Sequence, residues 1–466
     1  MWAENVCLTK VPTMTVPNTS GAPIDLPTRL GSATQVVFVV AAVPPIVLLA
    51  LSLTSFSGIT GVDQIAFFVV LPMLVAAVFL WMSRRSPASR LSGVLLLVAI
   101  GGSAVVAEAL LHAVGSIRAA RAEPIRGPTI REAVDSIRER GTVAFPTIPG
   151  NVLVDRDIVI GVGGEDVHPV TPSPGGETTV LCNETGTLIV YESDRFGFNN
   201  PDDVWDYESV EVAMLGDSYT HGLCVSSSDQ PAARMAQKAS TVNLGARGFG
   251  PLLQLAVLRE YGHLLRPASV VWVYYEGNDR YDLSREVGRE WLTRYLREPS
   301  HSQGLADLDA SGAYSAWIDE IIAEEFGARQ QSLPDLFPGF RSLLTLTTLR
   351  QVVGFGVPFP RAGSRIGWLP DVMLAAAQTV AAWDGRITFV YLPAYERFRV
   401  LVGEGVPGRG EVMAAAAEAG LQVVDLTPHF EATGTPRQLW ASPRGHLSPE
   451  GYRLMVEVIA ERLGLR

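Results

Sequence analysis

Three apolar stretches crowded into residues 33–114 set the terms for this chain. They run from Ala33 to Thr54, from Ile65 to Met82 and from Leu91 to Val114. Crossing about 30 Å of hydrocarbon as a helix takes about 17–25 apolar residues. A helix also satisfies its own backbone hydrogen bonds, as lipid demands. Core helices of a soluble protein are seldom this long or this free of charge, so the sequence predicts a three-helix transmembrane region. The first stretch begins too far in, and is followed too closely by two more, to read as a cleavable leader. Pro44 and Pro45 remove two backbone donors from it and predict a kink.

Basic residues give the direction. Lys10 and Arg29 precede the first stretch, and Arg84, Arg85 and Arg90 separate the second from the third. Between the first and second the one charge is Asp63. Lys and Arg collect on the cytoplasmic side, so residues 1–32 read as a cytoplasmic tail and the chain after the third stretch as extracytoplasmic. Arg118, Arg121 and Arg126 pull weakly the other way. This topology puts Cys7 in a reducing compartment and Cys182 and Cys224 in an oxidising one. There the latter two are expected to pair, with two unlinked thiols as the alternative. Glu108 and His112 lie one helical turn apart near the outer end of the third stretch. Ionisable residues inside a membrane are functional suspects, but reaching out to the interface is the preferred reading here.

The chain as a whole is acidic, with 48 Asp and Glu against 37 Lys and Arg and a net charge of −11. It has no basic stripe, which excludes nucleic acid as a partner. No Cys-x-x-Cys pair is present and the seven histidines lack ligand spacing, so neither a metal nor another cofactor is expected. Nothing in the sequence speaks to oligomeric state.

Residues 115–205 divide into an Arg- and Glu-rich stalk helix over 116–145 and a lead-in rich in turn formers. Short β-like runs appear in the lead-in at Thr179–Leu181 and Leu188–Tyr191, and 193–205 carries too many turn residues to be a helix. From 206 to 466 strands and helices alternate. Val210–Leu215, Thr241–Leu244, Ser269–Tyr275, Arg386–Leu392 and Leu421–Leu426 read as strands, with helices over 230–239 and Pro251–Leu265 and from Pro449. Unbroken apolar strands such as SVVWVYY fit a sheet buried on both faces. The alternation predicts an α/β domain with a doubly wound parallel sheet, whose sites lie at the C-terminal strand ends. An insertion over about 284–368 interrupts it, with helix-like pieces at Trp291–Leu296, Tyr314–Phe326 and Arg341–Val353. It reads equally as a lid or as a packing appendage.

Gly216-Asp217-Ser218 stands where the first of these strands ends, a position that exposes a serine at the start of a helix. Alone it is a weak signal. Three further blocks follow in order: NLGARGFG at 243–250, YEGNDRYDL at 275–283 and GHLSPEGY at 445–452. With MLGDSYTHG at 214–222 they resemble the GDSL/SGNH hydrolases, over about 206–466. The resemblance implies a flavodoxin-like fold and acyl transfer from an ester. It implies Ser218 as nucleophile, His446 as general base, and Ser218 N–H, Gly248 N–H and the Asn278 amide as oxyanion donors. Glycine permits close backbone approach to a substrate, though an ordinary turn explains each glycine too, and a helix N-cap explains Asn278. His221 reads as a pocket or solvated helix residue, His263, His301 and His429 as surface or capping residues, and Asp217 as structural.

The sequence departs from the family at the acid that orients the histidine. Three residues before His446 stands Pro443, and the nearest preceding carboxylate is Glu431. The Pro443 carbonyl, a distant Asp425 or Asp279, or an inert site are the three explanations; a Ser–His dyad with carbonyl support is preferred. Together these features imply an esterase or acyl hydrolase anchored to the bilayer, acting outside the cytoplasm on O-acyl groups of a glycan or lipid-linked substrate. An O-acetyltransferase of an exported polysaccharide, or an inert binding module, are the alternatives.

Overall fold

The computed structural model describes residues 26–55, 65–121, 128–184, 186–308, 311–325, 367–398, 408–442 and 445–465, with isolated positions between 339 and 349. The chain forms two units, Met1–Ala104 and Val105–Arg466.

In the first unit, helices Leu26–Ala41 and Val43–Ser55 are separated at Ala42, just ahead of Pro44 and Pro45. The expected interruption thus falls where two backbone donors are missing. Phe38, Ala42, Phe68 and Ala76 are buried, but many other apolar side chains are turned out, with Leu95 and Val98 more than 60% exposed. Apolar area on this scale is costly to hold in water. Gly31–Ala50 and Pro87–Val114 are long and apolar enough to cross a membrane. The expectation of a third span over 65–82 is corrected. Its apolar helix, Phe68–Ser83, rises about 24 Å at 1.5 Å per residue, short of the roughly 30 Å of a hydrocarbon core. Ser83 Oγ turns back to the Leu80 carbonyl at 2.7 Å, and the helix stops at the arginine pair that follows.

The described residues of the second unit form ten strands: β1 (Ala144–Pro146), β2 (Ile160–Val162), β3 (Glu165–Val167), β4 (Thr178–Cys182), β5 (Ile189–Glu192), β6 (Val212–Gly216), β7 (Thr241–Gly245), β8 (Ser269–Tyr275), β9 (Arg386–Leu392) and β10 (Gln422–Asp425). The central sheet runs β10-β9-β8-β6-β7 and all its pairings are parallel. Numbered within this sheet the order is 2-1-3-4-5, a doubly wound order whose switch point lies beside the first strand.

Alternate side chains of each strand enter different cores. Ala213, Leu215, Trp272 and Phe389 pack with helices Pro251–Val257 and Leu369–Ala381. Val212, Met214, Val273 and Val390 pack with Pro231–Ala236 and Pro449–Leu463 on the other face. Two buried faces explain why these strands read as unbroken apolar runs. Gly216 is in register with Gly245 and with Val273, so β6 and β7 end level beside β8.

The lead-in belongs to the same body. Its β4 pairs parallel with β1 and antiparallel with β5, and Phe145, Ile148 and Val180 join the core that holds Leu215 and Trp272. Thr129 and Glu132 form a reciprocal capping box at the start of helix Ile130–Glu139. The turn-rich segment after β5 closes around buried Asp194, which accepts from the Phe196 and Phe198 amides, Asn200 and Trp205.

Leu292, Tyr295, Tyr314 and Ile318 from the insertion are buried in the same core, so this part of it packs as structure. The expected helix at Arg341–Val353 lies mostly outside the described residues. Glu108 departs from expectation: it is fully buried and accepts from Ser342 Oγ at 2.8 Å and from the Thr348 and Leu349 amides at 2.9 and 2.7 Å. Three donors from one segment replace the water that an interface would have offered.

Candidate active site

The first element of the site is a tight turn. β6 ends at Gly216, and Asp217 caps the four-residue helix Ser218–His221 by accepting from the Tyr219 amide at 2.9 Å. The cap holds Ser218 at the C-terminal edge of the sheet, at the switch point. Its Oγ lies 2.9 Å from His446 Nε2.

His446 arrives from the far end of the chain. A bridge between Trp440 and Leu447 and a hydrogen bond from the Ala441 amide to the His446 carbonyl, at 2.9 Å, fix its backbone. Ser448 then caps the last helix, accepting from the Gly451 amide. Tyr219 stacks tilted between His446 and Tyr275, with centroids 4.9 and 4.2 Å away, and forms an aromatic wall beside the pair.

The partner of the imidazole is Glu184. Its Oε2 lies 3.0 Å from His446 Nδ1. A carboxylate accepts only, so it selects the tautomer with a proton on Nδ1 and leaves Nε2 free to accept from Ser218. Burial opposes ionisation of Glu184, but the hydrogen bond from His446 and the charges of His446 and Arg247 outweigh it and hold the carboxyl below its ordinary range.

Neither of the two expected carboxylates takes this place. Asp425 is bound to Arg409 and accepts from the Thr427 amide at 2.9 Å. Asp279 is buried and accepts from the Tyr275 amide at 2.9 Å. Pro443 lies outside the described residues.

Cys182 and Cys224 are joined in a disulfide, with Cα atoms 5.3 Å apart. Cys182 ends β4 two residues before Glu184, and Cys224 follows Ser218 by six residues. The bond thus staples the turn that carries Glu184 to the loop after Ser218. Cys182, Glu184 and Cys224 also form a group whose ligand atoms lie within 4.8 Å of one another. With both sulfurs bonded to each other it presents only a carboxylate to a metal.

The backbone donors expected from the sequence are the N–H groups of Ser218 and Gly248. Gly248 adopts φ +68° in the turn after β7, a left-handed conformation that favours glycine. Neither its N–H nor that of Ser218 bonds to a described residue. The Asn278 amide is hydrogen-bonded to the Asp217 and Asp282 carboxylates, and its carbonyl oxygen is buried without a partner among the described residues. His221, read from sequence as a pocket or solvated position, is fully buried. Its Nδ1 accepts from the Arg247 amide at 3.2 Å, so its Nε2 donates to the Tyr191 hydroxyl at 3.2 Å. Burial, with the Arg247 charge behind it, pushes His221 down to about 3 and keeps it neutral.

An acidic cluster surrounds Asp217, the residue before Ser218. Burial and then the nearby Asp217 charge push Asp282 up to about 7, while burial and then Asp282 push Glu286 up to about 8. Asp217 and Asp279 are raised as well, burial being the largest cause. A carboxyl raised on folding contributes stability that is complete below its unfolded value near 4 and is lost as pH rises through its folded value. The melting temperature of the full chain in detergent is therefore expected to fall between pH 5 and pH 9. Asp282→Asn is expected to flatten that decline; equal slopes in both proteins would refute the assignment.

Glu184, Arg247 and the Tyr219–Tyr275 wall went unread in the sequence. One signal pointed to Glu184: a Cys182–Cys224 bond necessarily draws residue 184 toward the loop after Ser218. No protein-family model matches this sequence, and no curated protein matches it.

Proposed function

We propose that this chain is a membrane-anchored serine esterase of SGNH type, acting outside the cytoplasmic membrane on O-acyl groups of a glycan or lipid-linked substrate. The observation that carries the reading is the relay Glu184–His446–Ser218, at 3.0 and 2.9 Å, assembled from three separate parts of the chain. A nucleophile, a base within reach of it and an orienter of the base are the three roles that ester cleavage requires.

The Ser218 hydroxyl proton passes to His446 Nε2 as Oγ bonds to the ester carbonyl carbon. The carbonyl electron pair moves onto oxygen, where the Ser218 and Gly248 N–H groups stabilise it, while both N–H groups of Asn278 are engaged with Asp217 and Asp282. His446 then gives its proton to the leaving alcohol as the C–O bond breaks, leaving an acyl-Ser218. Water, deprotonated by His446, attacks the acyl carbon and releases the acid and free serine. If a sugar hydroxyl replaces water, the same residues perform O-acyl transfer.

Two helices of spanning length support the anchor, and the basic residues on the short loop at 84–90 support the orientation. A disulfide beside Ser218 fits an oxidising compartment. The inert-module reading drew on the want of an acid before His446, and Glu184 removes that ground.

The direct test uses the full chain in detergent with a fluorophosphonate probe, which reacts only with an activated serine. Labelling is expected at Ser218 in the native protein and is expected to vanish in His446→Ala. A native protein that stays unlabelled while correctly folded would count against the esterase.

The disulfide gives a further expectation. Replacing both Cys182 and Cys224 by serine is expected to lower stability by about 2–4 kcal/mol. It should also lower kcat on p-nitrophenyl acetate by up to about 100-fold, since small misplacements of catalytic groups cost that much. Denaturant melts and steady-state rates measured below the melting range separate the two effects.

A further inference from the structure

Arg247 is a charged residue at this site that the ester chemistry leaves unused. It stands next to Gly248, with its backbone clamped on both sides. Its N–H donates to His221 Nδ1 at 3.2 Å, and its carbonyl accepts from the Gly150 amide at 2.8 Å. The side chain is half-buried, its backbone N–H touches the ring of His221 in the short helix that opens with Ser218, and its charge acts on both Glu184 and His221. Burial draws that guanidinium below the ordinary arginine range, with Glu184 opposing.

Other arginines of the domain show what is missing. Arg195, Arg234, Arg285, Arg397 and Arg453 each hold a carboxylate. Among the described residues no carboxylate lies within 4.0 Å of the Arg247 side chain, and no acceptor takes its N–H groups. Glu184, whose charge acts on Arg247, is engaged with His446. Arg247 keeps part of its surface exposed, so a ligand arriving from solvent meets a cation with no protein carboxylate to displace. Its planar fork matches an oxyanion in two parallel hydrogen bonds.

We propose that Arg247 binds an anionic group of the substrate, so that the preferred ester carries a carboxylate or phosphate close to the acyl group that Ser218 attacks. This rests on the esterase reading for the word ester, but the anion subsite is testable without turnover.

The turnover arm compares two nearly isosteric esters on the full chain in detergent, a methyl O-acetyl-glucuronide and the matching methyl O-acetyl-glucoside. An O-acetyl glucoside 6-phosphate tells phosphate from carboxylate. The native protein is expected to favour an anionic ester by tenfold or more in kcat/KM, chiefly through KM. Arg247→Ala is expected to abolish the preference and Arg247→Lys to keep part of it, since a single ammonium lacks the fork. Equal losses on anionic and neutral esters would mean that Arg247 acts through Glu184 as a positioning residue, and would overturn the proposal.

The binding arm uses Ser218→Ala with the unacetylated methyl glucuronide and glucoside 6-phosphate. One of these acids is expected to bind at least tenfold more tightly than methyl glucoside, with the difference lost in Ser218→Ala/Arg247→Ala. No such difference overturns the subsite whether or not the native chain cleaves esters. Turnover of p-nitrophenyl acetate by native chain against Ser218→Ala judges the esterase reading by itself.

Discussion

Ser218→Ala is expected to lower kcat for p-nitrophenyl acetate by about 10⁶-fold, and His446→Ala by a similar factor. The double variant should be no slower than either single one. The reason is that the two side chains act as a unit: without the base at 2.9 Å the hydroxyl is a poor nucleophile, and without the hydroxyl the base has only water to activate. Residual activity of about 10³–10⁴ over water is expected from the oxyanion donors and substrate binding alone. Both variants should fold. Ser218 is a small residue whose Oγ makes one short hydrogen bond, and the backbone at His446 is held by the Trp440–Leu447 bridge and the Ala441 amide. Equal rates in native and Ser218→Ala proteins, measured with melting curves that match, would remove Ser218 from the chemistry.

Glu184→Ala is the second large effect, expected to cost about 10⁴-fold in kcat with KM changed little. Without a carboxylate at Nδ1 the imidazole is free to take the other tautomer, in which Nε2 carries a proton and cannot accept from Ser218. The imidazolium formed during attack also loses its counter-charge. Glu184→Gln is expected to be nearly as damaging, because an amide sets the ring's orientation without supplying charge. Asp425→Asn is the control. Asp425 is tied to Arg409 and the Thr427 amide, so its loss should appear in stability while kcat stays within a few-fold of native. A rate loss in Asp425→Asn matching that of Glu184→Ala would reverse the assignment of the acid.

Local pattern along the chain reaches the sheet and the Ser218–His446 pair, for physical reasons. β8 and β9 are seven-residue apolar runs buried on both faces, and such runs stand out against any polar flank. Ser218 and His446 sit at the boundary of a strand or helix, where a cap residue and a glycine mark the turn. The limit at the membrane is equally physical. Composition recognises an apolar segment, but whether residues 65–82 reach the length of a span depends on where the helix starts and stops, and Ser83 and the arginines set its end. The burial of His221 and Glu108 is not legible locally, because a polar residue on a helix says nothing about what packs over it.

Glu184 marks the division most clearly. Ser218 as a serine at a strand end, His446 before the last helix, the parallel sheet and the two long apolar helices follow from local pattern, because periodicity and capping act over a few residues. Which carboxylate orients His446 does not. Glu184 and His446 are 262 residues apart, and no spacing rule spans that distance. Only the pairing of β4 with β1 and β5, and the bond from Cys182 to Cys224, carry that turn to the imidazole, because an ion or hydrogen bond acts through space and not along the chain. The same holds for Arg247: its type and place are written in the sequence, but its unpaired state is a property of everything folded around it.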